Sequence, residues 1–123
     1  RSVDMTVSDI YGRDIDALGL PRDLIASSFG KARNLDKKNV DDKDIARSVV
    51  TMICINIAQL TTMISDLEKL DQIVILGGLL SQDAFQQILT SFVSFWSQGR
   101  KSITFPENSE YIALLGMVLA NSV

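Results

Sequence analysis

The apolar residues of this chain change their period several times, and each change marks an element. Val3, Val7 and Ile10 recur at helical spacing, so a short helix is expected over residues 4–10, ending at Tyr11-Gly12. A loop from Arg13 to Pro21 follows, punctuated by Gly12, Gly19 and Pro21. Leu24 to Gly30 is apolar and small, which points to close backbone approach, either to another helix or to a ligand. Lys31 to Asp42 is charged and reads as a surface loop. Asp41 has the chemistry of an N-cap, with Asp44 three residues on in the capping-box position. The helix it opens is expected to run to about Leu67. Its seam is Val49, Ile53, Asn56, Leu60, Met63 and Leu67, spaced four and three in alternation, the heptad spacing of a helix–helix contact with one polar intruder. Met52, Ile57 and Ile64 widen the stripe, so burial on more than one side is expected. Asn56 fits two roles, setting register at a pairing seam or bonding to a neighbouring loop.

The period then disappears. Ile73, Val74, Ile75 and Leu76 form an unbroken apolar run, the pattern of a parallel strand covered on both faces. Gly77 and Gly78 stop it, letting the backbone turn sharply and approach a neighbour closely. Open α/β sheets bind ligands beyond the carboxyl ends of their strands, which puts this pair where a nucleotide is expected. A Gly-Gly after a strand is also what an ordinary turn looks like. Helical period returns over Gln82–Ser97, with Phe85, Ile88, Leu89, Phe92 and Trp96 on one face and Gly99 as the stop. Ser102 to Phe105 reads as a second short strand ended by Pro106. Ser109 is placed to cap a last helix over Glu110–Ala120, its apolar side formed by Tyr111, Leu114, Leu115, Val118 and Leu119. Gly116, inside that helix, suggests tight packing against a neighbour or a ligand. The expected fold class is α/β, in the order helix, strand, helix, strand, helix.

Composition narrows the function. The 123 residues fit one domain spanning 1–123, or half of a larger one, and a hydrophobic fraction of 46% supplies a core. A net charge of −3 with both signs mixed leaves no footprint for nucleic acid. The densest basic cluster, Lys37-Lys38 with Lys31 and Arg33, reads as a solvated loop. No histidine is present, which excludes Ser-His and Cys-His triads and histidine metal sites; no metal-ligating residues are assigned. Cys54 is the one cysteine, so there is no internal disulfide, and it reads as a small core or interface residue. No apolar run approaches a membrane-spanning length, and the first residues do not resemble a signal peptide. The expected location is cytoplasmic, with no membrane partner.

Three stretches carry a resemblance. Ser8-Asp9-Ile10-Tyr11-Gly12, Gly19-Leu20 and Ile25-Ala26-Ser27-Ser28-Phe29-Gly30-Lys31 resemble the D-I-Y-G-G … G-L … A-S-S-F-G signature of the eukaryotic-type (type II) pantothenate kinases. Ile75-Leu76-Gly77-Gly78 is similar to the adenosine-side turn of their superfamily, which includes sugar kinases, heat-shock ATPases and actin. Phe95-Trp96-Ser97-Gln98-Gly99 is similar to the family's F-W-S-K-G, with Phe105, Glu107, Tyr111 and Gly116 following at family-like distances. The resemblance implies the helix-rich C-terminal lobe of an actin-like (ribonuclease H-like) ATPase fold and ATP-dependent phosphorylation of pantothenate, with Mg accompanying the ATP. It implies that Gly77 and Gly78 accept the adenine nucleotide. It implies that Ile10, Tyr11, Ile25, Ala26, Phe92 and Trp96 line a pocket for pantothenate or acyl-CoA, and that the long helix with its Asn56 seam forms a homodimer or a dimer with a related subunit.

The chain also departs from the family pattern. Arg13 stands where the second glycine is expected and Ile15 where a pocket tyrosine is; arginines of the family fall at Thr62 and Ser81; a small pocket residue falls at Phe92; and glycines fall at Glu110 and Ala113. Each lost arginine removes a charge-assisted phosphate contact, worth roughly 1.5–3 kcal/mol. The family's glycine-rich phosphate loop and catalytic glutamate lie in its N-terminal half, and nothing in this chain supplies them. No catalytic residue is assigned here, and the chain is expected to need that N-terminal half to turn over. The alternative is a catalytically degraded, non-enzymatic subunit or scaffold that keeps fold and dimer helix.

Overall fold

A computed structural model describes residues 2–36 and 40–121. Lys37 and Lys38, the centre of the expected basic loop, lie outside the described residues. The chain forms two compact units, Arg1–Met52 and Ile53–Val123. Its architecture is mixed α/β, with helices and two small sheets.

In the first unit, strand β1 (Met5–Thr6) pairs antiparallel with β2 (Ile25–Ser27), Met5 opposite Ser27 and Thr6 opposite Ile25. The segment expected to be helical from residue 4 therefore begins as a strand. Thr6 starts helix α1 (Val7–Tyr11) only after it, through a capping box with Asp9. Gly12, at φ 73°, closes α1 in the left-handed conformation that glycine takes without strain. Gly30 explains the small residues before it: a Cβ there would lie 2.6 Å from the Met5 Cβ, so the close approach is to the neighbouring strand. The expected loop over residues 13–21 contains a 3₁₀ turn, Asp16–Leu18, and the one over 31–42 contains another, Ala32–Asn34. Asp4 is buried and accepts hydrogen bonds from the Phe29 N–H (3.1 Å) and the Ser48 hydroxyl. This satisfied carboxylate ties the hairpin to the first turns of helix α2.

Helix α2 (Asp42–Leu67) has the expected bounds. Asp41 caps it, its carboxylate accepting from the Lys43 N–H at 3.0 Å. The Asp44 carboxylate is engaged by Ser2, through both the N–H (2.9 Å) and the hydroxyl (2.6 Å). The buried stripe of α2 is Ser48, Thr51, Cys54, Ala58, Thr62 and Ser65, all small. Full burial on a second side does not occur among the described residues: Met52 and Ile64 are exposed, together with the heptad seam, and Ile57 is half-buried. Helix α2, 26 residues long, contains an 18-residue window of mean hydropathy 1.5, long and apolar enough for a membrane span by length and composition alone, so the expectation drawn from unbroken apolar runs is corrected on that measure. Serines, threonines and single polar residues break every apolar run here without lowering the mean enough. A helix packed along one stripe passes the same measure.

In the second unit, β3 (Gln72–Val74) and β4 (Ser102–Thr104) pair in parallel, Ile73 opposite Ile103, with helix α3 (Asp83–Ser97) as the crossover. Left-handed Lys69 ends α2, and Lys101, its side chain 4% exposed, donates to the Leu70 carbonyl (2.7 Å) and the Asp66 carboxylate (2.9 Å). The core is Ile73, Leu80, Leu89 and Val93, with Cys54 and Ala58 of α2 also buried. The α3 face is centred on Leu89, Val93 and Ser97, with Phe85, Ile88, Phe92 and Trp96 half-buried at its flanks.

Two expectations are corrected in this unit. The strand run is not covered on both faces: Ile73 is buried, but Val74 and Leu76 are 59% and 49% exposed, because a two-stranded sheet with one helical layer leaves its other face open among the described residues. The last helix, α4 (Ile112–Ala120), starts two residues late and without Ser109 as its cap. Tyr111, Leu114, Leu115, Val118 and Leu119 are all more than half exposed, and nothing comes within 4 Å of a Cβ placed on Gly116. The helix is apolar all round, so its pattern marks no inward face.

Candidate functional site

The carboxyl ends of the two parallel strands converge on the paired glycines. The Ile75 N–H donates to the Thr104 carbonyl (3.0 Å), extending the ladder one residue past β3 before the chain turns. Gly77 makes that turn at φ 139°, a conformation open to glycine and costly for other residues. Gly78–Ser81 then forms a 3₁₀ turn, with the Leu80 N–H donating to the Gly77 carbonyl.

The chain leaving β4 forms the facing wall. The Ser109 hydroxyl lies 3.4 Å from both the Gly77 nitrogen, whose N–H it accepts, and the Gly77 oxygen, to which it donates. A Cβ on Gly78 would stand 3.5 Å from Glu110 Oε2, so this carboxylate lies over the turn. The Gln86 side-chain amide donates to the Leu80 carbonyl (2.7 Å), fixing the start of α3 to the turn. Between these walls is a cleft of about 430 Å³ lined by Leu80, Gln86 and residues 105–110. Carboxylate, hydroxyl and amide groups around an apolar floor suit a base and its ribose hydroxyls. Among the described residues no lysine or arginine lines the cleft, so these walls offer no charge-assisted phosphate contact.

The sequence pattern marks the glycine turn but not its facing wall: it gives Ser109 only a helix-capping role, and Gln86 carries no signal. The available clue was the Pro106-to-Ser109 turn composition directly after a strand, with Asn108 left-handed at φ 54°.

The six expected pocket residues divide between the units. Ile10 and Tyr11 sit on α1, 49% and 59% exposed, and Ile25 and exposed Ala26 on β2, whose Ile25 pairs with Thr6 at the start of α1. Phe92 and Trp96 lie one turn apart on α3, both half-buried. The Phe95 and Trp96 rings pack edge to face, centroids 5.1 Å apart at 76°. The Trp96 indole N–H and the Thr62 hydroxyl are buried without hydrogen-bond partners among the described residues. The α2 seam is outward along its length: Val49 and Ile53 are each 37% exposed, Leu60, Met63 and Leu67 more so, and Asn56 is exposed with them. Among the described residues no group of three or more acidic or cysteine side chains is placed to hold a metal ion.

The Fumble family model matches residues 1–120. This chain belongs to the Fumble family. The Fumble domain is 34% identical over 119 residues to a Mus musculus protein named 4'-phosphopantetheine phosphatase, covering 96% of this chain and 14% of that protein. It is 35% identical over 124 residues to pantothenate kinase 2 of Arabidopsis thaliana and 34% identical over 123 residues to pantothenate kinase 2 of Oryza sativa subsp. japonica, in both cases covering 97% of this chain and 14% of the relative. The Fumble domain thus spans 14% of the length of each of these relatives.

Proposed function

We propose that this Fumble domain is the C-terminal lobe of an ATP-dependent pantothenate kinase, the enzyme of the committed step of coenzyme A synthesis, in an actin-like fold. The observation that carries this is the Gly77-Gly78 turn at the carboxyl ends of two parallel strands, with a polar-walled cleft beside it. The turn takes the adenine side of ATP, and Ser109 and Glu107 offer a hydroxyl and a carboxylate toward base and ribose. Phosphoryl transfer is mainly positioning and electrostatics. Among the described residues no basic side chain lines this cleft, and in this reading phosphate binding belongs to the N-terminal half. Mg enters with the nucleotide phosphates, the usual mode for that ion.

In this reading Ile10, Tyr11, Ile25, Ala26, Phe92 and Trp96 contribute to pantothenate or acyl-CoA binding, partly across the dimer, and the outward α2 seam forms that homodimer or a dimer with a related subunit. The uncovered Val74, Leu76 and α4 surfaces support a lobe that meets further protein. The assembly is cytoplasmic.

A second reading, a pantothenate-kinase-like protein without kinase activity, is favoured by two observations. One relative carries the name 4'-phosphopantetheine phosphatase at 34% identity, and Glu110 overhangs the glycine turn. Calorimetric titration of the full-length protein with an ATP analogue, pantothenate and acetyl-CoA separates the two. Binding of the ATP analogue and pantothenate is the kinase outcome; a stable dimer that binds neither is the scaffold outcome. Glu110→Gly should tighten binding of the ATP analogue by removing the overhanging carboxylate, and an unchanged affinity would show that Glu110 does not obstruct the turn.

A further inference from the structure

We infer that Asp9 and Lys31 are positioning residues whose ion pair anchors α1 to the β1–β2 hairpin and so sets where Ile10 and Tyr11 stand. This rests on the proposal that those two residues line the pantothenate or acyl-CoA pocket. Helix α1 has five residues, too few to hold itself, and Val7 is its one buried side chain. Ile10 and Tyr11 are about half exposed, so core packing does not fix them. Backbone hydrogen bonds hold the first residues of α1, from the Val7 N–H to the Leu24 carbonyl (2.9 Å) and from the Ser8 N–H to the Arg22 carbonyl (2.8 Å), which leaves the end of the helix to a polar side-chain anchor.

Three donors meet on one oxygen. Asp9 Oδ2 accepts from the Thr6 N–H (2.8 Å), the Thr6 hydroxyl (2.8 Å) and the Lys31 ammonium (2.7 Å). The first is half of the capping box, whose other half is the Asp9 N–H donating to the Thr6 hydroxyl (3.3 Å), and the third reaches outside the helix. Lys31 is itself held: its N–H donates to the Val3 carbonyl at 2.9 Å, and Gly30 before it lies against Met5. The ion pair therefore joins a short helix to a point fixed by the hairpin backbone. In agreement, the Asp9 carboxyl is lowered to about 2, first by the Lys31 bond and then by Thr6. The pair also joins the two stretches that carry the family signature, which are separated in sequence by the loop over residues 13–21.

An exposed ion pair adds little to global stability. Its loss should therefore appear in ligand geometry rather than in melting temperature. The test compares full-length protein carrying Lys31→Met or Lys31→Arg with the unaltered protein. Calorimetry is run with pantothenate, acetyl-CoA and an ATP analogue, beside thermal melting and amide exchange over residues 7–12. Lys31→Met should weaken pantothenate or acetyl-CoA binding by about two- to fivefold, the reach of one exposed ion pair, speed exchange in α1, lower the melting temperature only slightly, and leave ATP-analogue affinity unchanged. Lys31→Arg should restore both signals. Wild-type affinity and exchange in Lys31→Met would overturn the inference, as would a joint loss of all ligands with a lowered melting temperature. If the unaltered protein binds neither pantothenate nor acetyl-CoA, the kinase proposal fails, and exchange alone decides: protection lost in Lys31→Met and regained in Lys31→Arg supports the anchor, and unchanged protection overturns it.

Discussion

Gly30 shows how much a single missing side chain can decide. A Cβ there would lie 2.6 Å from the Met5 Cβ and 3.0 Å from Ser27 Cβ and Oγ, and neither neighbour is the free end of a flexible chain. Gly30→Ala must push β1 away from the turn after β2, at an expected loss of about 1–3 kcal/mol, the usual range for overpacking. Urea unfolding measures it, and an unshifted midpoint would mean the hairpin yields. Asp9 and Asp44 act through charge. Donors from Lys31 and Thr6 in one case, and from the Ser2 hydroxyl and N–H in the other, lower each carboxyl from 3.8 to about 2. Their folded values lie below the unfolded ones, so their stabilising contribution is complete above about pH 4 and is lost as pH falls toward 2. Melting temperature followed across pH 5 to 2 (a range of roughly the width linkage requires) should fall less steeply in an Asp9→Asn, Asp44→Asn double variant than in the unaltered protein.

Leu89 is the fully buried centre of α3, the element on which the second sheet is built. Leu89→Ala should cost about 2–5 kcal/mol, read as a lower urea midpoint with an unchanged slope. Elements of this kind were legible in the sequence. Asp41 and the long period that follows it located α2, the apolar run and its glycines located β3 and its turn, and the aromatic stripe located α3. What stayed hidden has physical causes. Strands β1 and β2 are too short to show a period of two, and their pairing joins residues about twenty positions apart. On α2 two interleaved stripes compete, one large and apolar, one small. Hydropathy ranks the first as inward, whereas the buried stripe is the second, where Ser48, Ala58 and Ser65 suit close packing. The cleft wall of Ser109 and Glu110 depended on a contact across more than thirty residues, which local pattern does not report.

Over the whole molecule, the described apolar surface concentrates on the α2 seam, on α4 and on the open face of β3. The seam keeps heptad order from Val49 to Leu67, the arrangement that lets side chains of a second helix interlock. If the proposed dimer forms through this seam, Leu60→Lys with Met63→Lys in the full-length protein should reduce the mass found by sedimentation from dimer to monomer while leaving the circular dichroism of the fold intact. A dimer that survives both charges would place the interface elsewhere.

The small-residue stripe gives α2 a reversed map of tolerance. At Ser48, Cys54 and Ala58, all without accessible surface, one added methylene has nowhere to go. At Leu60 and Met63, a glutamine or a lysine disturbs nothing the chain needs in order to fold. A library randomised along this helix and sorted only for folded protein should therefore turn its outer side polar while holding Ala58 and Cys54 fixed. Sorted instead for assembled protein, the same library should recover leucine and methionine, so that the two selections trace the two faces of one helix separately.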